Sequence, residues 1–296
     1  MDAHLGPLAA AATALCWSVT GMFFGAAGRR VGSFSVNQIR LIFALLLLGG
    51  AHLALYGVPW PSADAPRLTR LAISGLIGLA IGDACLFQAF VVLGVRNSTL
   101  MMTLWPAMAT GLAWPLLGER PGAGVPVGMG VTLAGVFVAV ASRRGQASDV
   151  DPAPTLAGLA LGFFGALGQA AGMVVAKPAL ADGFSPLSGT IVRMAAAAAA
   201  LWAIGAVRAP KTAAALRNGG AMGLTLGGAF CGPFLGVTLS LLAVQRTPMI
   251  GVASTIMATV PVWVIPWMWI VYGIRPRAGQ VLGSLAAVAG VGLLFY

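Results

Sequence analysis

Charge is scarce in this chain of 296 residues: Asp, Glu, Lys and Arg together make up 8% of it, 7 acidic side chains against 17 basic ones. With 59% hydrophobic residues and a mean hydropathy of +0.93, so few polar side chains cannot clothe a water-soluble domain of this size. Cysteine and histidine are nearly missing as well. Cys16, Cys85 and Cys231 lie far apart without C-x-x-C spacing, and His4 and His52 have no second ligand nearby in sequence. Neither a disulfide framework nor a metal site is expected. The chain also lacks a G-x-x-x-x-G-K-[ST] loop, an H-E-x-x-H pair and a G-x-S-x-G elbow. ATP-driven pumping is thereby excluded, and neither enzymatic chemistry nor a cofactor is expected.

What is present is apolar sequence. A helix needs about 20 apolar residues to cross a bilayer, and runs of that kind predict ten spans, at 5–27, 35–56, 68–91, 98–117, 125–141, 155–176, 186–206, 221–244, 250–272 and 279–296. The first run has no basic leader and no A-x-A site, so it reads as a retained helix. The net charge of +10 would suggest nucleic acid in a soluble protein, but here the cations are scattered between apolar runs. The lipid bilayer is the expected partner, and nucleic acid is not.

The polar stretch 142–154 falls near the middle of the chain and invites a search for duplication. Pro121, Gly124, Gly128 and Gly135 reappear at a constant offset as Pro276, Gly279, Gly283 and Gly290, and Arg40 is matched by Arg193. The expected organisation is a first five-helix repeat at 1–144, a linker at 145–154 and a second five-helix repeat at 155–296. Because five is odd, the second copy enters the membrane from the opposite side. The predicted fold is therefore an all-α integral membrane protein with ten transmembrane helices in two inverted repeats.

The stretches GDACLFQAFVVLG from Gly82, RNSTLMMTLWPAMATGLAWPLLGERP from Arg96 and VGMGVTLAGVFVAV from Val127 resemble the EamA-type branch of the drug/metabolite transporter superfamily. The resemblance extends over essentially the whole chain, and Ile274 departs from it where the first copy has Glu119. It implies an exporter of amino acids, metabolites or cationic drugs, similar to the bacterial aromatic amino-acid exporters.

Asp83 is the one carboxylate well inside an apolar span, where an ionised group costs several kcal/mol unless paired or hydrated. Two roles are open to it: a protonatable group that couples proton entry to export or receives a substrate amine, or a hydrogen-bonded lock between helices. Gln88 and Gln169 either line a hydrated cavity or join helices. Thr238, Ser240 and Thr259 are weaker cavity candidates, since hydroxyls bond back to their own helix. Trp17 and Trp105 lie at mid-span rather than at interface depth, and with Met101 they form either an apolar cavity wall or core packing. Trp114, Trp202 and Trp269 read as interface anchors.

Pro106, Pro115, Pro233, Pro261 and Pro266 interrupt spans 4, 8 and 9. Pro106 and Pro261 correspond between the repeats and are either gates or static bends. Gly124 with Gly128, and Gly279 with Gly283, predict close packing of the fifth span on the tenth. Arg40 and Arg193 are expected to snorkel toward head groups or bond loop carbonyls.

Loops after odd spans carry Arg29, Arg30, Arg96, Arg143, Arg144, Arg208, Lys211, Arg217, Arg275 and Arg277, against Arg67, Arg70, Arg120, Lys177 and Arg246 after even ones. This bias alone places both termini outside the cell. The resemblance implies termini in the cytoplasm and an inner-membrane protein, which is the expectation adopted. The expected activity is export of small amphipathic solutes by alternating access through a central, largely apolar cavity, by a monomer or a dimer. An intramembrane enzyme or a channel is the alternative, with no charge ring or carbonyl filter to support the latter.

Overall fold

The computed structural model describes residues 4–94, 98, 101–142, 155–205, 209–272 and 275–294. Among these every regular element is helical, as lipid requires of a chain whose backbone N–H and C=O groups find no water to bind. The helices are α1 (Leu5–Val31), α2 (Ser33–Tyr56), α3 (Ala65–Val92), α4 (Trp105–Leu117), α5 (Gly124–Ala141), α6 (Leu156–Ala176, continued by a tight turn over Lys177–Gly183) and α7 (Pro186–Gly205). They continue with α8 (Ala209–Leu216), α9 (Gly219–Arg246), α10 (Ile250–Met257), α11 (Val260–Tyr272) and α12 (Ala278–Leu293). Among the described residues seven segments are long and apolar enough to cross a membrane, while Gly124–Ala139 and Ala278–Leu293 are apolar but shorter. The linker at 145–154 lies outside the described residues.

Two departures from the sequence reading have local causes. The ninth expected span is two helices, because the chain turns at Ala258 and Thr259 before Pro261. Proline has no N–H to donate and crowds the preceding turn, so the helix stops and restarts. Pro106 does the same in the first copy, where Thr103 and Leu104 form the turn and the proline sits in the first turn of α4. The second departure is α8, a short helix in a stretch expected to be loop. It is anchored by Thr212, whose hydroxyl donates to Gln38 Oε1 of α2 at 2.7 Å.

Helices α3 and α9 each widen into a π-helical turn at corresponding places, Leu76–Gly82 and Phe230–Gly236. The contact partners are exchanged between copies. α1 packs on α9, α10 and α11, whereas α6 packs on α3 and α4; α2 meets α7, and α5 meets α12 along the closest seam in the protein. That seam is built of glycine. A Cβ at Gly135 would stand 2.4 Å from the Ala287 amide nitrogen, one at Gly283 2.4 Å from that of Ala139, and one at Gly128 2.8 Å from that of Leu294. With no side chain intervening the two backbones touch, which in lipid replaces the missing hydrophobic drive for association. Gly279 faces Ser142 along the same seam, and Gly124 opens α5.

Gly135→Ala and Gly283→Ala are expected to push α5 and α12 apart at a cost of about 1–3 kcal/mol each. This should lower the thermal unfolding midpoint in detergent, whereas Gly130→Ala, with nothing within 4 Å of its Cβ position, should leave it unchanged.

Candidate functional site

A cavity of about 140 Å³ lies where the two halves meet. From the first half it is lined by Trp17, Ser18, Thr20, Gly21, Met22 and Phe24 of α1, Arg40 of α2, Leu79, Asp83, Leu86, Phe87 and Phe90 of α3, Met102 and Trp105; the second half supplies Gln169, Gly232, Pro233, Val237, Met257, Ala258, Val260, Pro261 and Val264. The wall is mainly apolar and aromatic. Trp17 and Trp105 are tilted against each other with ring centroids 6.5 Å apart, and Trp17 sits against Gly236 at the end of the second π-turn.

One end of this wall is charged. Arg40 Nη2 donates to Asp83 Oδ2 at 2.5 Å, Nε donates to Asn37 Oδ1 at 2.8 Å, and the guanidinium lies over the rings of Phe87 at 4.7 Å and Phe24 at 5.7 Å. Gln169 donates its amide to Asp83 Oδ1 from the other half of the protein. Asp83 itself follows directly on the π-turn Leu76–Gly82, so the widened turn sets where the carboxylate points. The ion pair and the two tilted rings make an amphipathic chamber: a fixed charge pair at one pole and a surface for a planar or branched apolar group elsewhere.

The expectation that Arg40 and Arg193 reach toward head groups is corrected. Both are buried, with exposures of 2% and 0%, because a carboxylate at membrane depth draws its counter-charge inward from neighbouring helices. The sequence pairs these arginines only as repeat equivalents and carries no signal for the contact of Arg40 with Asp83, 43 positions away. Asp83 thus has a counter-charge and hydrogen bonds on two other helices, the setting that the locking role requires. Five cavity candidates do not line the space. Gln88 is exposed and accepts from the Ser33 hydroxyl at 2.7 Å; Met101 packs on Gly162. Thr238, Ser240 and Thr259 donate to carbonyls of their own segments, at Phe234, Val237 and Ile256. Of the two prolines, Pro261 reaches the wall and Pro106 does not. Phe24, Phe87, Phe90 and Met102 are additions to the sequence reading; the helical spacing of Phe87 and Phe90 from Asp83 is a signal for those two, and Phe24 and Met102 carry none. Trp114, Trp202 and Trp269 are exposed on the outer surface.

The cavity is displaced toward one end of the bundle, since α1 contributes nothing before Trp17 and α3 contributes as far as Phe90. The other end is tied across the two halves. Lys177 donates to Glu119 Oε1 at 2.6 Å and to the Pro248 carbonyl at 2.7 Å, while Glu119 Oε2 accepts the Ile250 amide at 2.8 Å at the first turn of α10. A carboxylate there meets both a cation and the positive end of a helix. Beside it Gly6 lets α1 close directly on Arg246 and Thr247.

The sequence profile of the EamA-like transporter family matches residues 4–141 and again residues 156–296. No curated protein matches the chain at a significant level. Among solved structures, one described only as a crystal structure of a protein superposes with a TM-score of 0.73 at 17% identity, covering 97% of this chain and 95% of its own. That likeness concerns the fold.

Removing one member of the buried pair, by Asp83→Asn or Arg40→Met, is expected to destabilise by about 3–5 kcal/mol, since the other charge is left stranded. In a double-mutant cycle followed by thermal unfolding, the combined variant should lose less than the two single losses together. Simple additivity would show the pair to be energetically idle.

Proposed function

Because the chain belongs to the EamA-like transporter family and is a multi-pass membrane protein, we propose that it is a secondary carrier exporting small amphipathic solutes, amino acids with aromatic side chains among them, across the inner membrane. The observation that carries this reading is a chamber walled by both halves of the chain, apolar around Trp17 and Trp105 and charged at Arg40 and Asp83. A site shared between repeats is where a carrier places its substrate. The reciprocal packing of α1 on α9 and of α6 on α3 supports two inverted repeats related by a pseudo-two-fold axis in the membrane plane.

On this reading the present conformation is closed at the Glu119–Lys177 end. Alternating access then requires that tie to part while the opposite end, around Gln88 and Phe90, draws together. The turns before Pro106 and Pro261 are the natural hinges, because backbone hydrogen bonding is already interrupted there. With termini in the cytoplasm, the closed end is the cytoplasmic one. A chamber that binds its solute about equally in both orientations moves it fastest, since tight binding to either would trap it.

Purified protein in liposomes is expected to give saturable uptake of phenylalanine or tryptophan, and a linear, non-saturating flux would indicate a pore instead. Gly21→Trp should reduce this uptake by at least about tenfold. Gly21 lines the chamber with nothing within 4 Å of its Cβ position, so the indole fills the space without a backbone clash, and an unchanged thermal midpoint would confirm that only the chamber was altered.

A further inference from the structure

Arg193 has no exposed surface, and among the described residues its Nε and Nη2 have no hydrogen-bond partner and Nη1 reaches only the Met173 sulfur, at 3.9 Å. Its position is fixed by backbone contact: Gly75 of α3 lies so close that a Cβ there would overlap the Arg193 carbonyl, and a Cβ on Gly78 would come within 3.3 Å of Nη2. The same Gly78 offers its carbonyl to the Gln169 amide at 3.4 Å, and that amide holds Asp83. Arg193 and Asp83 thus flank the same turn of α3, joined through Gly78 and Gln169. One carboxylate therefore has two guanidiniums in its neighbourhood, Arg40 from α2 and Arg193 from the corresponding α7, and pairs with only Arg40. Two cations and one anion leave the region one positive charge in excess, which is costly in a membrane.

Resting on the carrier reading above, we propose that the cargo carries a carboxylate, that this carboxylate takes the place of Asp83 on the Arg40 guanidinium at the chamber wall, and that the displaced Asp83 turns to Arg193. The exchange replaces one ion pair and one stranded cation by two ion pairs, with no proton moved. A substrate ammonium would instead bring a third cation to the site. The tail of the cargo then lies against Trp17, Trp105 and Phe90, so the favoured class is an organic acid with an apolar, preferably aromatic, tail. Arg193 lies outside the chamber wall and is a positioning residue: it acts on the cargo only by receiving Asp83.

Direct calorimetric binding to the purified wild-type protein tests the first half, with 3-phenylpropionate and 2-phenylethylamine as probes of equal size and opposite charge. The acid is expected to bind at least about tenfold more tightly; equal binding, preference for the amine or absence of acid binding would overturn the proposal. Arg193→Met and Asp83→Asn/Arg193→Met test the second half. Arg193→Met should weaken acid binding about tenfold when Asp83 is present and have no effect in the Asp83→Asn background, where no displaced carboxylate seeks a partner. An equal loss in both backgrounds would mark Arg193 as merely structural and overturn the exchange. Liposome flux separates this from the carrier reading: acid bound selectively but never transported leaves the carboxylate site standing and removes the carrier, while saturable transport of the amine alone leaves the carrier and removes the carboxylate site.

Discussion

Charge held in hydrocarbon is the constraint around which this protein is arranged. A lone carboxylate in an apolar helix is tolerated only if cations and donors are brought to it, and four helices of this bundle converge for that purpose. α3 presents Asp83, α2 brings Arg40, α6 brings Gln169 and α7 brings Arg193 close behind. Two of these helices belong to each half of the chain, so the electrostatic demand of one residue fastens the halves together at the point where the chamber opens.

That convergence depends on how closely the helices approach. Gly78 and Gly82 in the π-turn of α3 meet Gly168 and Gly172 of α6 backbone to backbone, a distance that any side chain would enlarge. The extra residue of the π-turn then swings the following position, Asp83, toward the chamber. In α9 the equivalent turn puts Gly232 and Gly236 against Thr20 and Trp17 of α1. There the position after the turn is Val237, so one copy delivers a charge and the other an apolar surface to the same space. The amphipathic character of the chamber thus follows from divergence between equivalent positions.

The architecture was largely legible in the sequence because lipid permits few solutions. Apolar run length located the helices, and the motifs around Gly82–Gly94 and Gly118–Pro121 carried the family resemblance that the profile matches bear out. The chamber was legible in part. Trp17, Trp105, Asp83 and Gln169 stand out as residues at unusual depth, a property that a linear reading can measure. Arg40 could not be placed, because a long flexible side chain can extend either outward or inward and only the three-dimensional position of Asp83 decides between them. The hydroxyls of Thr238, Ser240 and Thr259 were unreadable for a related reason: a bond to the same helix and a bond to a solute call for the same residue type.

The Glu119–Lys177 tie also makes the two copies unequal. The corresponding position in the second copy is Ile274, which can neither accept a cation nor cap a helix. Two identical copies would offer the same fastening twice. With the acid kept in one copy only, the two ends of the bundle differ in how firmly the halves are fastened. That inequality between the ends is then written into a single unduplicated side chain.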